Sequence, residues 1–193
     1  LRRQHEVIAI LDELTALAPR PGLRTKTGDL FDAERVKQSV AGCSAVICLL
    51  DAPGLPFNSE HVEKSIVPGP VEQVLAVDAL VDGLQAAGIS RLFLVGDFAL
   101  LDDPEIEDQL QRHAAEEIRE ALQSSPLLWT LVDAPRGVAG LTIEHFSQVS
   151  SSLEPGLAEP LERLSRVATG IADELQLNLH VGEHISFVGT TPQ

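Results

Sequence analysis

Apolar residues fall along this chain in two rhythms. Val7-Ile8-Ala9-Ile10-Leu11, Ala45-Val46-Ile47-Cys48-Leu49-Leu50, Leu92-Phe93-Leu94-Val95 and Trp129-Thr130-Leu131-Val132 are short continuous runs, each stopped by Asp or Gly. Strands buried on both faces of a parallel sheet read this way. Between the runs the apolar positions return every three or four residues, as at Val74, Val77, Leu80, Val81 and Leu84, which predicts an amphipathic helix over 71–87 ended by Gly88. Further elements are expected as a strand at 23–27, helices at 32–40 (with Asp32 as N-cap) and 106–123, and a last long helix at 158–175. Prolines and glycines mark 53–70 as a loop, and Phe187-Val188 closes the core. Strands alternating with helices specify an α/β fold: a doubly wound, mostly parallel sheet with helices on both faces. One domain over 1–193 is expected, with a small substrate-side region around 141–160.

Composition removes several classes of function. The 29 Asp and Glu against 14 Lys and Arg leave a net charge of −15, which repels a phosphate backbone over most of the surface, so nucleic acid is not expected as a partner. No apolar run approaches the roughly 20 residues needed to span a bilayer, so no membrane is expected either. Two cysteines and no basic-then-apolar leading segment point to a reducing, cytoplasmic setting. The chain has no tyrosine, which rules out a tyrosine proton donor.

Ligands of open parallel sheets bind beyond the carboxyl ends of the strands. The residues there are Asp12, Gly28-Asp29, Leu50-Asp51, Gly96-Asp97 and Asp133-Ala134-Pro135. An acidic residue after Leu11 can accept both hydroxyls of an adenosine ribose, or it can be an ordinary solvated cap. Asp29 carries the same ambiguity as a turn residue. His180 and His184 have metal-ligand spacing on a helix, but Gly182 and β-like flanks argue against one, so a polar turn is the preferred reading.

The order of His5-Glu6-Val7, Gly28-Asp29-Leu30-Phe31-Asp32, Ala45-Val46-Ile47, Ala86-Ala87-Gly88-Ile89-Ser90-Arg91-Leu92, Trp129-Thr130-Leu131-Val132 and Asp173-Glu174-Leu175 resembles the atypical short-chain dehydrogenase/reductase family. Within it the similarity is to the NADH-flavin reductase-like, NAD(P)H-binding branch, and it runs from His5 to about Leu175. The resemblance implies a Rossmann-like fold whose first strand and glycine-rich turn precede Leu1; no G-x-G-x-x-G occurs in the sequence given. It also implies that Asp12 replaces an Arg that reads a 2′-phosphate in many relatives, which favours NAD(H) over NADP(H). Asp29 and Leu30 then match the motif beside the adenine, and Leu50 and Asp51 the stretch along the cofactor. Gly96 and Asp97 lie at the nicotinamide edge, with Pro135 after the last strand of that edge.

The Ser-Tyr-Lys triad of the wider superfamily is missing, since Val95-Gly96-Asp97-Phe98-Ala99 offers no Ser and Gln111-Arg112-His113 no Lys. Reduction of a flavin, quinone or other conjugated acceptor remains compatible, because positioning does most of that work. His113 is a weak candidate acid, although a surface histidine is the plainer reading of it. The partner expected is therefore a small-molecule acceptor, with a homodimer left open. A non-catalytic dinucleotide-sensing or protein-interaction protein on the same fold is the alternative, followed by a degenerate domain that binds no dinucleotide.

Overall fold

The computed structural model describes residues 5–11, 21–50, 69–102, 108–135, 156 and 158–187. The strands are β1 (Val7–Leu11), β2 (Leu23–Thr27), β3 (Ala45–Leu49), β4 (Arg91–Gly96), β5 (Leu128–Asp133) and β6 (Glu183–Ile185). The helices are α1 (Ala33–Val40), α2 (Pro70–Ala87), α3 (Gln109–Ser124) and α4 (Ala158–Leu177). Every described strand pairing is parallel, in two ladders ordered β1-β2 and β3-β4-β5-β6. Among the described residues no hydrogen-bonded strand pairing joins the two ladders.

Local chemistry accounts for the boundaries. The Asp32 carboxylate accepts from the N–H groups of Glu34 (2.9 Å) and Arg35 (3.2 Å), satisfying donors that the first turn of α1 would leave open. Pro70 opens α2 at a position where its missing N–H costs nothing. Gly88 takes a left-handed φ of 71° to end it, a conformation that a β-carbon would penalise. The Asp108 side chain accepts from Gln111 N–H, so α3 starts at Gln109, later than the sequence pattern suggests.

Helices cover both faces. Leu92, Leu94, Trp129 and Leu131 pack with Val36 and Val40 of α1, with Val77, Leu80 and Leu84 of α2, and with Ile118 and Leu122 of α3. The other face carries Phe93, Val95 and Val132 against Val167 and Ile171 of α4. β4 lies between β3 and β5, and all six of its residues are buried. β1 and β3 depart from the sequence expectation of burial on both faces. Val7 is 39% exposed, and Ile47 and Leu49 are 47% and 48% exposed. Ile47 and Leu49 pair with Phe93 and Val95, so they project on the face of α4, which packs on β4 to β6 and leaves β3 uncovered. No helix among the described residues is long and apolar enough to cross a membrane.

α1 and α2 touch through a glycine. A β-carbon at Gly83 would sit 2.6 Å from Val36 Cγ1 and 2.7 Å from the Ala33 carbonyl oxygen, closer than atoms pack. Gly83→Ala is therefore expected to lower stability by about 1–3 kcal/mol, although Ala is the better helix former. Urea denaturation measures this, and an unchanged or raised midpoint would show that the two helices separate at no cost.

Candidate functional site

Within each parallel ladder the carboxyl ends of the strands lie at one edge, and a group of polar side chains gathers at each of these edges. The first follows β2. Asp29 is mostly buried, its Oδ1 accepting from Phe31 N–H at 3.0 Å and its Oδ2 lying 3.9 Å from an Arg35 guanidinium nitrogen. Beside it is a groove of about 340 Å³ lined by Lys26, Thr27, Gly28, Arg35, Gln38 and Ser39. In so acidic a chain this lining is unusual for carrying two cations. Lys26 donates to the Ser39 carbonyl at 3.2 Å, and Arg35 faces Asp32 (3.6 Å) as well as Asp29.

The second group follows β4 and β5. Leu131 is in register with His184, and Gly96 with Asp133, so Leu131, Asp133 and His184 share one face of the sheet by strand alternation. The His184 side chain is 15% exposed, and its Nε2 lies 2.7 Å from Asp133 Oδ1. Its Nδ1 lies 3.0 Å from Asp102 Oδ2, just past a 3-10 turn at Ala99–Leu101, and the buried Phe98 ring meets the imidazole edge-on at 6.3 Å. The hydrogen bond to Asp133 raises the His184 pKa above the ordinary imidazole value; burial opposes it, and the charges of Asp133 and Asp102 reinforce it.

The expected site residues are distributed unevenly across these edges. Asp12 and Asp51 lie outside the described residues. Leu30 and Leu50 are buried in the core at 8% and 1% exposure, which leaves their backbone, rather than their side chains, to face a ligand. The Leu50 N–H already donates to Val95 O at 2.8 Å. Gly96, Asp97 and Pro135 sit together where β4 and β5 end, and the Gly96 carbonyl accepts from Ala134 N–H at 2.8 Å. His113 is on the exposed side of α3, 3.3 Å from Glu117.

His184 is the residue that sequence reasoning passed over. The polar turn expected there contains β6, paired with β5. The signal that could have found it is the rhythm itself: a strand should follow the last helix, and Val181, Ile185 and Phe187 supply apolar positions for it. His180 and His184 do not converge on a common site, since the His180 Nδ1 pairs with Glu174 at 2.7 Å.

Parallel strands, helices on both faces and polar groups beyond the carboxyl ends define an α/β domain of Rossmann type. A family profile for NAD(P)H-binding proteins matches residues 1–145, and the chain belongs to that family. No curated protein matches it. Among solved structures, it is similar to a Burkholderia pseudomallei protein assigned as exported, at 20% identity and TM-score 0.59, over 96% of this chain and 88% of that one. It is also similar to the oxidoreductase ylbE of Lactococcus lactis, at 14% identity and TM-score 0.51, over 95% and 79%. At these identities the likeness is one of fold.

The residues present suit part of a pyridine nucleotide at one place: the groove beside Asp29 offers cations, an amide and hydroxyls to a nucleoside, whereas Gly96 is buried at the end of β4.

Proposed function

We propose that this protein is a cytoplasmic NAD(P)H-dependent oxidoreductase that prefers NAD(H) and reduces a flavin, quinone or other small conjugated acceptor. The observation that carries this reading is that an NAD(P)H-binding domain holds a polar groove after β2 and a carboxylate-held imidazole beside the ends of β4 and β5. Bound there, the nucleotide supplies a two-electron reducing equivalent, while the protein binds, orients and handles protons. Free thiols at Cys43 and Cys48 suit a reducing compartment.

The preference for NAD(H) rests on Asp12. A carboxylate accepts two charge-assisted hydrogen bonds from a ribose diol but repels a 2′-phosphate. Lys26 and Arg35 would favour the phosphate, yet both already have oxygen partners. Fluorescence titration is expected to show NADH binding roughly 10- to 100-fold tighter than NADPH, a difference of about 1–3 kcal/mol. Asp12→Arg should relax or reverse the order. Tighter binding of NADPH by the parent chain overturns the preference.

A further inference from the structure

We propose that His184, oriented by Asp133, is the proton donor to the acceptor, and that Asp102 links it to solvent. This deepens the oxidoreductase reading above and rests on it.

The two carboxylates around the imidazole are not equivalent. The Asp133 side chain is 18% exposed and that of Asp102 is 77% exposed. Asp133 therefore locks the ring through Nε2, whereas an exposed carboxylate on a surface turn is readily replaced by water or by a ligand. Nε2 is held by the buried carboxylate, and Nδ1, 3.0 Å from Asp102, has an N–H that can be handed over once the acceptor takes the place of that exposed carboxylate. Acids and bases oriented by a second carboxylate share this arrangement. The buried Phe98 ring packs edge-on against the imidazole.

Position supports the same role. His184 lies by register beside Leu131 and reaches Asp133, whose own register partner is Gly96, so the imidazole stands at the edge to which the nicotinamide is assigned. The other routes to an acid are weaker. The chain has no Tyr, the Cys48 thiol is pushed up to about 12 by burial, and His113 sits on the outer surface of α3.

The step balances as follows. A bound nicotinamide would supply a hydride to the conjugated acceptor, which would leave an electron pair on an oxygen or nitrogen of that acceptor. That pair forms a bond to the Nδ1 proton; the N–H bond breaks and its electrons stay on the imidazole. Neutral His184 regains a proton from solvent along the Asp102 side. The acceptor is reduced, the nicotinamide is oxidised, and the histidine is unchanged over the cycle. The charged groups acting on the imidazole are Asp133 at the end of β5 and Asp102 beyond β4.

Three measurements on the full chain test this. NADH binding is followed by fluorescence, NADH consumption with the quinone menadione is followed from pH 6 to 9, and the imidazole is titrated by NMR in the nucleotide-free protein. The His184 signal is identified by its loss in His184→Gln. The parent imidazole is expected to titrate above the ordinary histidine range, and Asp133→Asn should bring it down. Turnover should fall as pH rises through the same value, and this alkaline limb should move with the NMR titration in Asp133→Asn. His184→Gln should bind NADH within about twofold of the parent yet lose on the order of 100-fold or more in menadione reduction.

Equal turnover by His184→Gln and the parent overturns the donor role alone, as does an imidazole that titrates in the ordinary range. A parent chain that binds NADH but does not reduce menadione also overturns it. Failure of the parent to bind NADH overturns the oxidoreductase reading, and the donor role falls with it.

Discussion

Glu174→Ala is expected to cost about 3–5 kcal/mol of stability, a large part of what holds a domain of this size together. Glu174 is 3% exposed, near the end of α4. Its Oε2 accepts from the N–H groups of Leu179 (3.0 Å) and His180 (3.1 Å), and its Oε1 lies 2.7 Å from His180 Nδ1. The guanidinium of Arg91, itself buried, lies 4.0 Å away. One carboxylate thus caps the chain leaving α4 and balances a buried cation, while the His180 carbonyl accepts from Thr130 Oγ1 at 2.7 Å. Truncation leaves two N–H groups and an imidazole without their acceptor, and a buried guanidinium without its counter-charge, although Arg91 keeps its hydrogen bonds to the Leu92 and Leu128 carbonyls. Glu174→Gln keeps an acceptor oxygen and is expected to cost less, about 1–3 kcal/mol.

The pH dependence of that difference has a definite sign. Burial pushes the Glu174 pKa up, but the hydrogen bonds and charge of His180 outweigh it, and the net shift is downward. A depressed carboxylate contributes stability that is present above the ordinary glutamate value of about 4.3 and is lost as pH falls through its folded-state value. Urea denaturation should therefore find a wide gap between parent and Glu174→Ala at pH 7 that narrows in acid. A gap as wide at pH 3 as at pH 7 would show that the loss is one of packing and not of charge.

Phe93→Ala should be as damaging, at about 3–5 kcal/mol. Phe93 is fully buried at the centre of β4, packed with Val95, Val132, Val167 and Ile171, so its removal opens a cavity between the sheet and α4. It also deprives a cation of its support, since the Arg91 guanidinium carbon lies 3.8 Å from the ring centroid. Phe93→Leu refills part of the volume but not the ring face, and should lie between the parent and the alanine variant. The check is the urea midpoint at constant slope. A loss below about 1 kcal/mol in Phe93→Ala would mean that α4 settles into the space.

Elements were legible in the sequence wherever the signal was local. The apolar run at β4 and the cap at Asp32 need only their neighbours to be read, and Gly88 ends α2 by its own backbone freedom. What sequence could not show depends on pairing at a distance. β6 is three residues long, two of them polar, and it is a strand only because β5 offers it an edge. The exposure of Ile47 and Leu49 depends on where α4 lies, which no property of the run 45–50 records. The site divides in the same way. Asp29 is legible as a strand-end carboxylate from its place after β2, whereas nothing near His184 in the chain announces Asp133 or Asp102.

That division bears on the order in which the working edge is assembled. Asp29 and Phe31 are two residues apart, and β1 pairs with β2 across a short connection, so the nucleoside groove needs little loop closure. His184 and Asp133 are 51 residues apart, and the entropy of closing a loop rises with its length. Contacts between distant parts of a chain form late in folding. The groove beside Asp29 needs only β1, β2 and α1 to form, but the pairing of His184 with Asp133 exists only after β6 has docked. A chain still emerging from synthesis, or one from which β6 has come away, would keep the groove proposed for the nucleoside and lack the imidazole proposed as the acid.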